Sequence, residues 1–287
     1  MKRILLTGGH GLLGKEIGNL LRRRFDVRIT DLQECDVTSL PACRGAIGGF
    51  RPQVVIHCAA YTAVDRAEAE PAAAFAVNAE GTRNVALASR EIGALVVTFG
   101  TDYVFDGTSS RPYREEDPVH PLSVYAKSKL AAEEALRETG CDHLLIRSQW
   151  LFGPGGKNFI RTILEKAGRG ETLRVASDQT GCPTSTKDLA GAVEKLLEAG
   201  ARGTVHFSNG GEATWFDLAR FALDRSASGA AALLPAATRD LPYPASRPPY
   251  SVLSKEKYRE ITGDSPRPWD VAVAEFLGSL SAERPIP

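Results

Sequence analysis

The chain has 287 residues, enough to bury a sizeable core in one large domain or in one domain with an appended lobe, so it is no small stapled scaffold. Lys plus Arg and Asp plus Glu both number 35, so no charge excess points to nucleic acid, a membrane surface or a polyanionic partner, while a charged small molecule stays open. Five cysteines (Cys35, Cys43, Cys58, Cys141 and Cys182), odd in number and never spaced Cys-x-x-Cys, favour reduced thiols in a cytoplasm over a disulfide framework or zinc site, and no catalytic metal is expected.

Lys2 and Arg3 precede Ile4, Leu5 and Leu6, but Gly8, Gly9, Gly11 and Gly14 interrupt any signal-peptide core. No apolar run has the length needed to span a bilayer. Ile4 to Thr7 reads as a short buried strand, and Gly8-Gly9-His10-Gly11-Leu12-Leu13-Gly14 follows before a helical stretch to Arg24. Glycines 8, 11 and 14, with His10 and Leu12 between them, let the backbone turn tightly and approach a pyrophosphate at a helix N-terminus. A second strand, Val27 to Thr30, ends in Asp31, where a carboxylate can bond the adenosine ribose hydroxyls or merely cap a helix.

The alternation continues with Val54 to His57, a helix around Pro71 to Ile92, Leu95 to Phe99, a helix over Ser123 to Thr139, and Leu144 to Arg147. Such spacing predicts an α/β fold, a doubly wound parallel sheet with right-handed crossovers, over residues 1–150 and completed by parts of 170–207. Ligands collect beyond strand C-terminal ends in such sheets, so Ala59-Ala60-Tyr61, Gly100-Thr101-Asp102-Tyr103 and Ser148-Gln149-Trp150 should face one crevice. A helix from Asn158 to Ala167, a strand near Leu173 to Ala176 and a helix from Lys187 to Glu198 are consistent with an extended sheet. From Gly210 the character changes to one helix (Thr214 to Asp224), a Pro-rich stretch (Leu234 to Pro249) and two short helices. Residues 151–287 are therefore expected to form a smaller, discontinuous substrate lobe, with a mobile loop at Ala227 to Ala232.

Tyr125 and Lys129 lie four residues apart near the start of a helix, on one face. An ammonium beside a phenol favours the phenolate and lowers the tyrosine from its free value of about 10, which makes a usable proton donor near neutral pH. The same spacing occurs on solvated helices, so the upstream residues decide. Thr101 ends one strand, Tyr125 and Lys129 come from the following helix, and the glycine turn lies at the first strand.

This set resembles the short-chain dehydrogenase/reductase superfamily in its extended branch, which carries a Ser/Thr, Tyr-x-x-x-Lys and Gly-x-x-Gly-x-x-Gly constellation. More closely, the chain resembles that branch's reductases of dTDP-linked 4-keto-6-deoxysugars. The motifs are Ala60-Tyr61-Thr62-Ala63-Val64-Asp65-Arg66-Ala67-Glu68, Thr101-Asp102-Tyr103-Val104-Phe105-Asp106-Gly107, Asp178-Gln179-Thr180-Gly181-Cys182-Pro183-Thr184 and Arg247-Pro248-Pro249-Tyr250-Ser251.

The resemblance implies hydride transfer from NADPH or NADH to a C4 ketone, giving dTDP-L-rhamnose. Tyr125 would protonate the developing alkoxide, Thr101 would hydrogen-bond that oxygen, and Lys129 would hold the nicotinamide ribose while tuning Tyr125. It also puts Asp36 and Val37 at the adenine, Ala59, Ala60, Tyr61 and Asn78 along the cofactor cleft, and Asp102 and Tyr103 beside the substrate. Trp150 would offer the sugar a flat face and an N–H, or else pack the lobe. Asn158, with Lys157, would meet the pyrophosphate or simply cap its helix, and Arg247 would grip the pyrophosphate or serve structure. Use of both cofactors is expected, and a homodimer is left open.

Gly100 stands where a serine is usual, Ala126 and Ala132 replace frequent glycines, and Ser254 lies where Asp or Asn is common, which leaves room for another 4-keto sugar. Two rivals remain. Dehydratases of the branch carry Asp-Glu after the threonine, and Asp102-Tyr103 lacks that second acid. A regulatory subunit resembling the beta subunit of methionine adenosyltransferase shares the fold, but Arg147-Ser148-Gln149-Trp150 favours the enzyme.

Overall fold

The protein is described here by a computed structural model covering residues 2–226 and 232–282. Five strands, β1 (Arg3–Thr7), β2 (Asp26–Thr30), β3 (Val54–His57), β4 (Leu95–Thr101) and β5 (His143–Ser148), join a sixth, Gly203–His206, in one sheet. The order runs from Gly203–His206 through β5, β4, β3 and β1 to β2, and every pairing is parallel.

Successive side chains of a strand point to opposite faces, so a sheet covered on both sides needs apolar residues at every position. Here Ile4, Leu6, Val54, Ile56, Leu95, Val97, Leu144 and Ile146 face a layer made by the Leu12–Leu21 and Thr186–Glu198 helices. Leu5, Val55, Val96 and Leu145 face the other layer, which includes the Leu40–Phe50 and Gly81–Arg90 helices and Leu136 of the Val124–Glu138 helix. The doubly wound parallel sheet expected from the alternation is therefore present.

Two placements differ from the sequence reading. Leu173–Ala176 does not extend the main sheet; it pairs in parallel with Leu233–Ala236 from the Pro-rich stretch. The place beside β5 is taken by Gly203–His206, a strand that periodicity did not reveal because Val205 is its sole aliphatic residue beyond glycine. Its polar His206 is buried by tertiary partners, with Nδ1 3.1 Å from the Tyr113 carbonyl and Nε2 3.3 Å from Arg147 Nη1.

The helical path from Pro71 to Arg90 contains one π turn, Ala76–Glu80, and Asn78 sits on it. Beyond β5, the Phe159–Gly168, Trp215–Asp224 and Trp269–Ala282 helices close over a second core that includes Phe152, Ile160, Leu218, Val273 and Phe276. A capping box at Thr214 and Asp217 starts the middle helix. Of the loop expected at Ala227 to Ala232, all but Ala232 lies outside the described residues.

Candidate active site

At the end of β1, Gly8 has φ +65°, and a Cβ there would strike the backbone of Ala59 at the end of β3. A Cβ on Gly14 would strike the Gly8 carbonyl oxygen, and the Gly11 N–H donates to that same oxygen at 3.1 Å. Three glycines thus weld turn, helix and neighbouring strand end. Gly9, which the motif spacing passes over, is as constrained, since its Cβ would run into Ile29 of β2. Gly11 is the N-cap of the Leu12–Leu21 helix without a side-chain cap, so the first-turn N–H groups around Leu12 point to the crevice without an intrahelical acceptor. His10 N–H donates to Asp31 Oδ2 at 3.0 Å, and Leu32 N–H donates to Oδ1 at 2.9 Å, which sets the carboxylate beside the turn with about a third of its surface open. A cradle this close-fitting, with a carboxylate at its rim, suits a dinucleotide.

The next strand ends are built differently. Asp36 spends its Oδ1 on Thr38 N–H (3.0 Å) and Thr38 Oγ1 (2.7 Å), which makes it a turn residue here. Val37 is buried beneath Gly81, and its carbonyl accepts from Asn84 Nδ2 at 3.0 Å. Buried Asn78 clamps the Ala60-Tyr61 segment: its Oδ1 accepts Tyr61 N–H at 2.8 Å, and its Nδ2 donates to Tyr61 O at 3.1 Å and Ser128 Oγ at 2.9 Å. Asn78 therefore couples the β3 end to the Tyr125 helix.

Ser123 caps that helix by accepting Ala126 N–H at 3.2 Å. Lys129 is buried against the back of β4, with Nζ donating to Phe99 O at 2.7 Å, and burial pushes it down to about 8. The Thr101 hydroxyl lowers the Tyr125 phenol, yet burial outweighs it and pushes the phenol up to about 12. The sequence expectation of a depressed phenol is thus reversed. An ammonium tied to a main-chain carbonyl and itself weakened by burial does not offset the phenol's loss of water. His57 at the end of β3, held by Thr7 Oγ1 at 2.7 Å, is pushed down to about 3 by burial and by Lys129, and stays neutral.

Thr101 ends β4 and caps the short Asp102–Val104 turn by accepting Tyr103 N–H at 3.3 Å. Its hydroxyl donates to Asp102 Oδ1 at 3.1 Å, and burial pushes Asp102 up to about 7 against hydrogen bonds from Ser251 and Thr101. Tyr103 meets the Tyr125 ring edge-on at 6.3 Å. Behind Thr101 lies the buried Glu133–Arg147 pair, with Arg147 Nη2 2.7 Å from Glu133 Oε2. A Cβ on Gly100 would fall 2.8 Å from Arg147 Cγ and 2.9 Å from Glu133 Oε1, which explains a glycine where serine is usual. Ser148, the register partner of Thr101 on β5, is buried, and its hydroxyl has no partner among the described residues. Sequence reasoning put it at the crevice but gave it no role.

The lobe residues have other engagements. Arg247 Nη2 donates to Asp65 Oδ2 at 2.7 Å, Nη1 donates to Ala245 O at 2.9 Å, and the guanidinium lies 4.2 Å from the Tyr243 ring centre. Trp150, with φ +48°, stacks on Trp215 at 3.6 Å, and its Nε1 is buried without a partner among the described residues. Asn158 uses both ends of its amide: Oδ1 caps the helix through Arg161 N–H at 3.1 Å, and Nδ2 donates to Gly153 O at 2.9 Å. Asn158 thus caps its helix, and one face of Trp150 packs the lobe.

A glycine cradle, a rim carboxylate and a Thr–Tyr–Lys set at the C-terminal edge of a doubly wound sheet define a nicotinamide-nucleotide oxidoreductase of the extended short-chain dehydrogenase/reductase class. Within it, the chain belongs to the family described as RmlD substrate binding domain, which matches residues 1–282. It is 40% identical over 295 aligned residues to a dTDP-4-dehydrorhamnose reductase of Streptomyces griseus, covering 99% of this chain and 97% of that one. A dTDP-4-keto-6-deoxy-D-glucose reductase of Streptomyces niveus is 36% identical, with 98% of each chain covered. The crystal structure of the Bacillus anthracis dTDP-4-dehydrorhamnose reductase in complex with NADP superposes with a TM-score of 0.93 at 34% identity, covering 97% of this chain and all of that one. Among the described residues, no helix is long and apolar enough to cross a membrane.

Proposed function

We propose that the protein reduces the C4 ketone of dTDP-4-dehydro-L-rhamnose to dTDP-L-rhamnose, using NADPH or NADH. The observation that carries this reading is the gathering of Thr101, whose hydroxyl acts on the Tyr125 phenol, with Tyr125 and the anchored Lys129 at the sheet edge that bears the glycine cradle. The bound cofactor supplies the hydride. Tyr125, pushed up to about 12, is protonated throughout the neutral range and gives its proton to the forming C4 alkoxide. Thr101 hydrogen-bonds the same oxygen. Lys129, cationic below about 8, holds the nicotinamide ribose. Gly8, Gly11, Gly14 and the first-turn N–H groups at Leu12 receive the pyrophosphate beside His10, whose own N–H holds Asp31, and Asp31 receives the adenosine ribose, supported by the cradle and by the NADP-bound relative. Asp31 leaves enough room and enough charge to suit a 2'-hydroxyl better than a 2'-phosphate, and both cofactors are expected to work. All five cysteines are free, which suits a cytoplasmic enzyme.

A second reading, reduction of the D-gluco 4-ketone, is favoured by the Streptomyces niveus relative. Both are tested in one assay. Purified protein is mixed with NADPH or NADH and a dTDP-4-keto-6-deoxyhexose generated with and without its 3,5-epimerase, while cofactor absorbance is followed. Turnover only with epimerase supports the rhamnose assignment; turnover without it supports the second; none in either arm refutes both and favours a regulatory subunit.

A further inference from the structure

Asp102 is a buried carboxyl, 2% exposed, at the end of the strand that carries Thr101, and the reaction above gives it no task. The sequence reading set it beside the substrate. In the fold both of its oxygens are taken by hydroxyls of the protein: Thr101 Oγ1 donates to Oδ1 at 3.1 Å, and Ser251 Oγ donates to Oδ2 at 2.6 Å. Ser251 is itself fixed, its N–H donating to Thr180 O at 2.8 Å, so the lobe grips Asp102 from outside the sheet.

A hydroxyl has one hydrogen to give. While Thr101 gives it to Asp102, its oxygen is left only to accept, as it does from Tyr103 N–H at 3.3 Å. No donor from Thr101 then remains for a ketone oxygen. Protonation of Asp102 reverses the first bond, because an acid O–H at Oδ1 donates to Thr101 and releases the threonine hydrogen.

We propose that Asp102 is a positioning residue that works in its acid form: protonated, it turns the Thr101 hydroxyl toward the C4 oxygen of the substrate; ionised, it holds that hydroxyl away. This inference rests on the reductase reading. Burial pushes Asp102 up to about 7, so both forms are present near neutrality. Tyr103 and Tyr125 face it, and its charge opposes the ionisation of both phenols. From the Tyr125 helix come Lys129 and the buried Glu133, the latter paired with Arg147 of β5 behind Gly100. From the lobe comes Arg247, which acts on Tyr103.

The test is the pH profile of kcat for keto-sugar reduction at saturating cofactor, from about pH 5 to about pH 10. The parent should lose about tenfold per pH unit above about 7, as one ionisation demands. Asp102→Asn, whose amide can donate permanently to Thr101, should lose that limb, with KM for the sugar changed less than about twofold. Ser251→Ala removes a hydrogen bond that favours the ionised form, so its limb should move to higher pH. A parent limb that survives in Asp102→Asn, or a rise in KM with no change in the profile, overturns the inference. Should Asp102→Asn not fold, an unmoved limb in Ser251→Ala overturns it. A parent that reduces no 4-keto sugar overturns the reductase reading and this inference with it; an active parent with unmoved limbs overturns this inference alone.

Discussion

The sheet edge and the lobe answer the sequence in different ways. At the sheet edge, the glycine turn, Asp31, Thr101, Tyr125 and Lys129 stand together because each is placed by its own strand end or helix turn. In the lobe, Trp150 and Arg247, both expected at the substrate, also meet distant partners in the protein itself, Trp215 and Asp65. A side chain at the end of a regular element inherits its direction from the element. One on a loop takes its direction from whatever distant segment packs against it.

The largest effect expected from breaking this contrast is at the edge. Tyr125→Phe keeps the ring against Tyr103 and removes the proton donor, so turnover should fall by about 10² to 10⁴ while cofactor affinity and melting temperature hold. Steady-state kinetics beside a cofactor titration decides it; parental turnover would end the catalytic assignment.

Next comes Trp150→Ala, which strips one half of the indole stack on Trp215 and should cost about 3 kcal/mol of stability, seen as a lower urea midpoint. If stability is kept and only the KM for the sugar rises, Trp150 belongs to the substrate site.

Lys129 gives a pH signature of intermediate size. Its folded value, about 8, lies below the ordinary lysine value of 10.5, so the folded state sheds this proton first. Stability from this group accordingly rises between those two values, whereas the grip on the nicotinamide ribose falls above about 8. Cofactor KM should climb up to about tenfold per pH unit beyond that point, and Lys129→Met should show a uniformly weak, pH-independent KM.

The smallest effect is Asn158→Ala. Loss of a helix cap should lower stability by about 1 kcal/mol and leave kcat/KM for the sugar within about twofold. A drop in kcat/KM of tenfold or more, with the melting temperature unchanged, would place Asn158 at the pyrophosphate.

What the amino-acid sequence determined alone was set by short-range rules. The strand and helix alternation, the glycine turn and the shared face of Tyr125 and Lys129 follow from periods of two and 3.6 residues and from glycine's freedom at φ +65°. Only the tertiary structure decided which strand completes the sheet. Leu173–Ala176 has the more apolar sequence, but Gly203–His206 holds the place because Tyr113 and Arg147 satisfy His206 there. It likewise decided the acid strengths, since Tyr125 rises and Lys129 falls through loss of water that no spacing records. The same holds for Asp102 and Arg247, whose partners Ser251 and Asp65 lie 149 and 182 residues away along the chain. Contacts at such separations exist only once the chain has closed on itself.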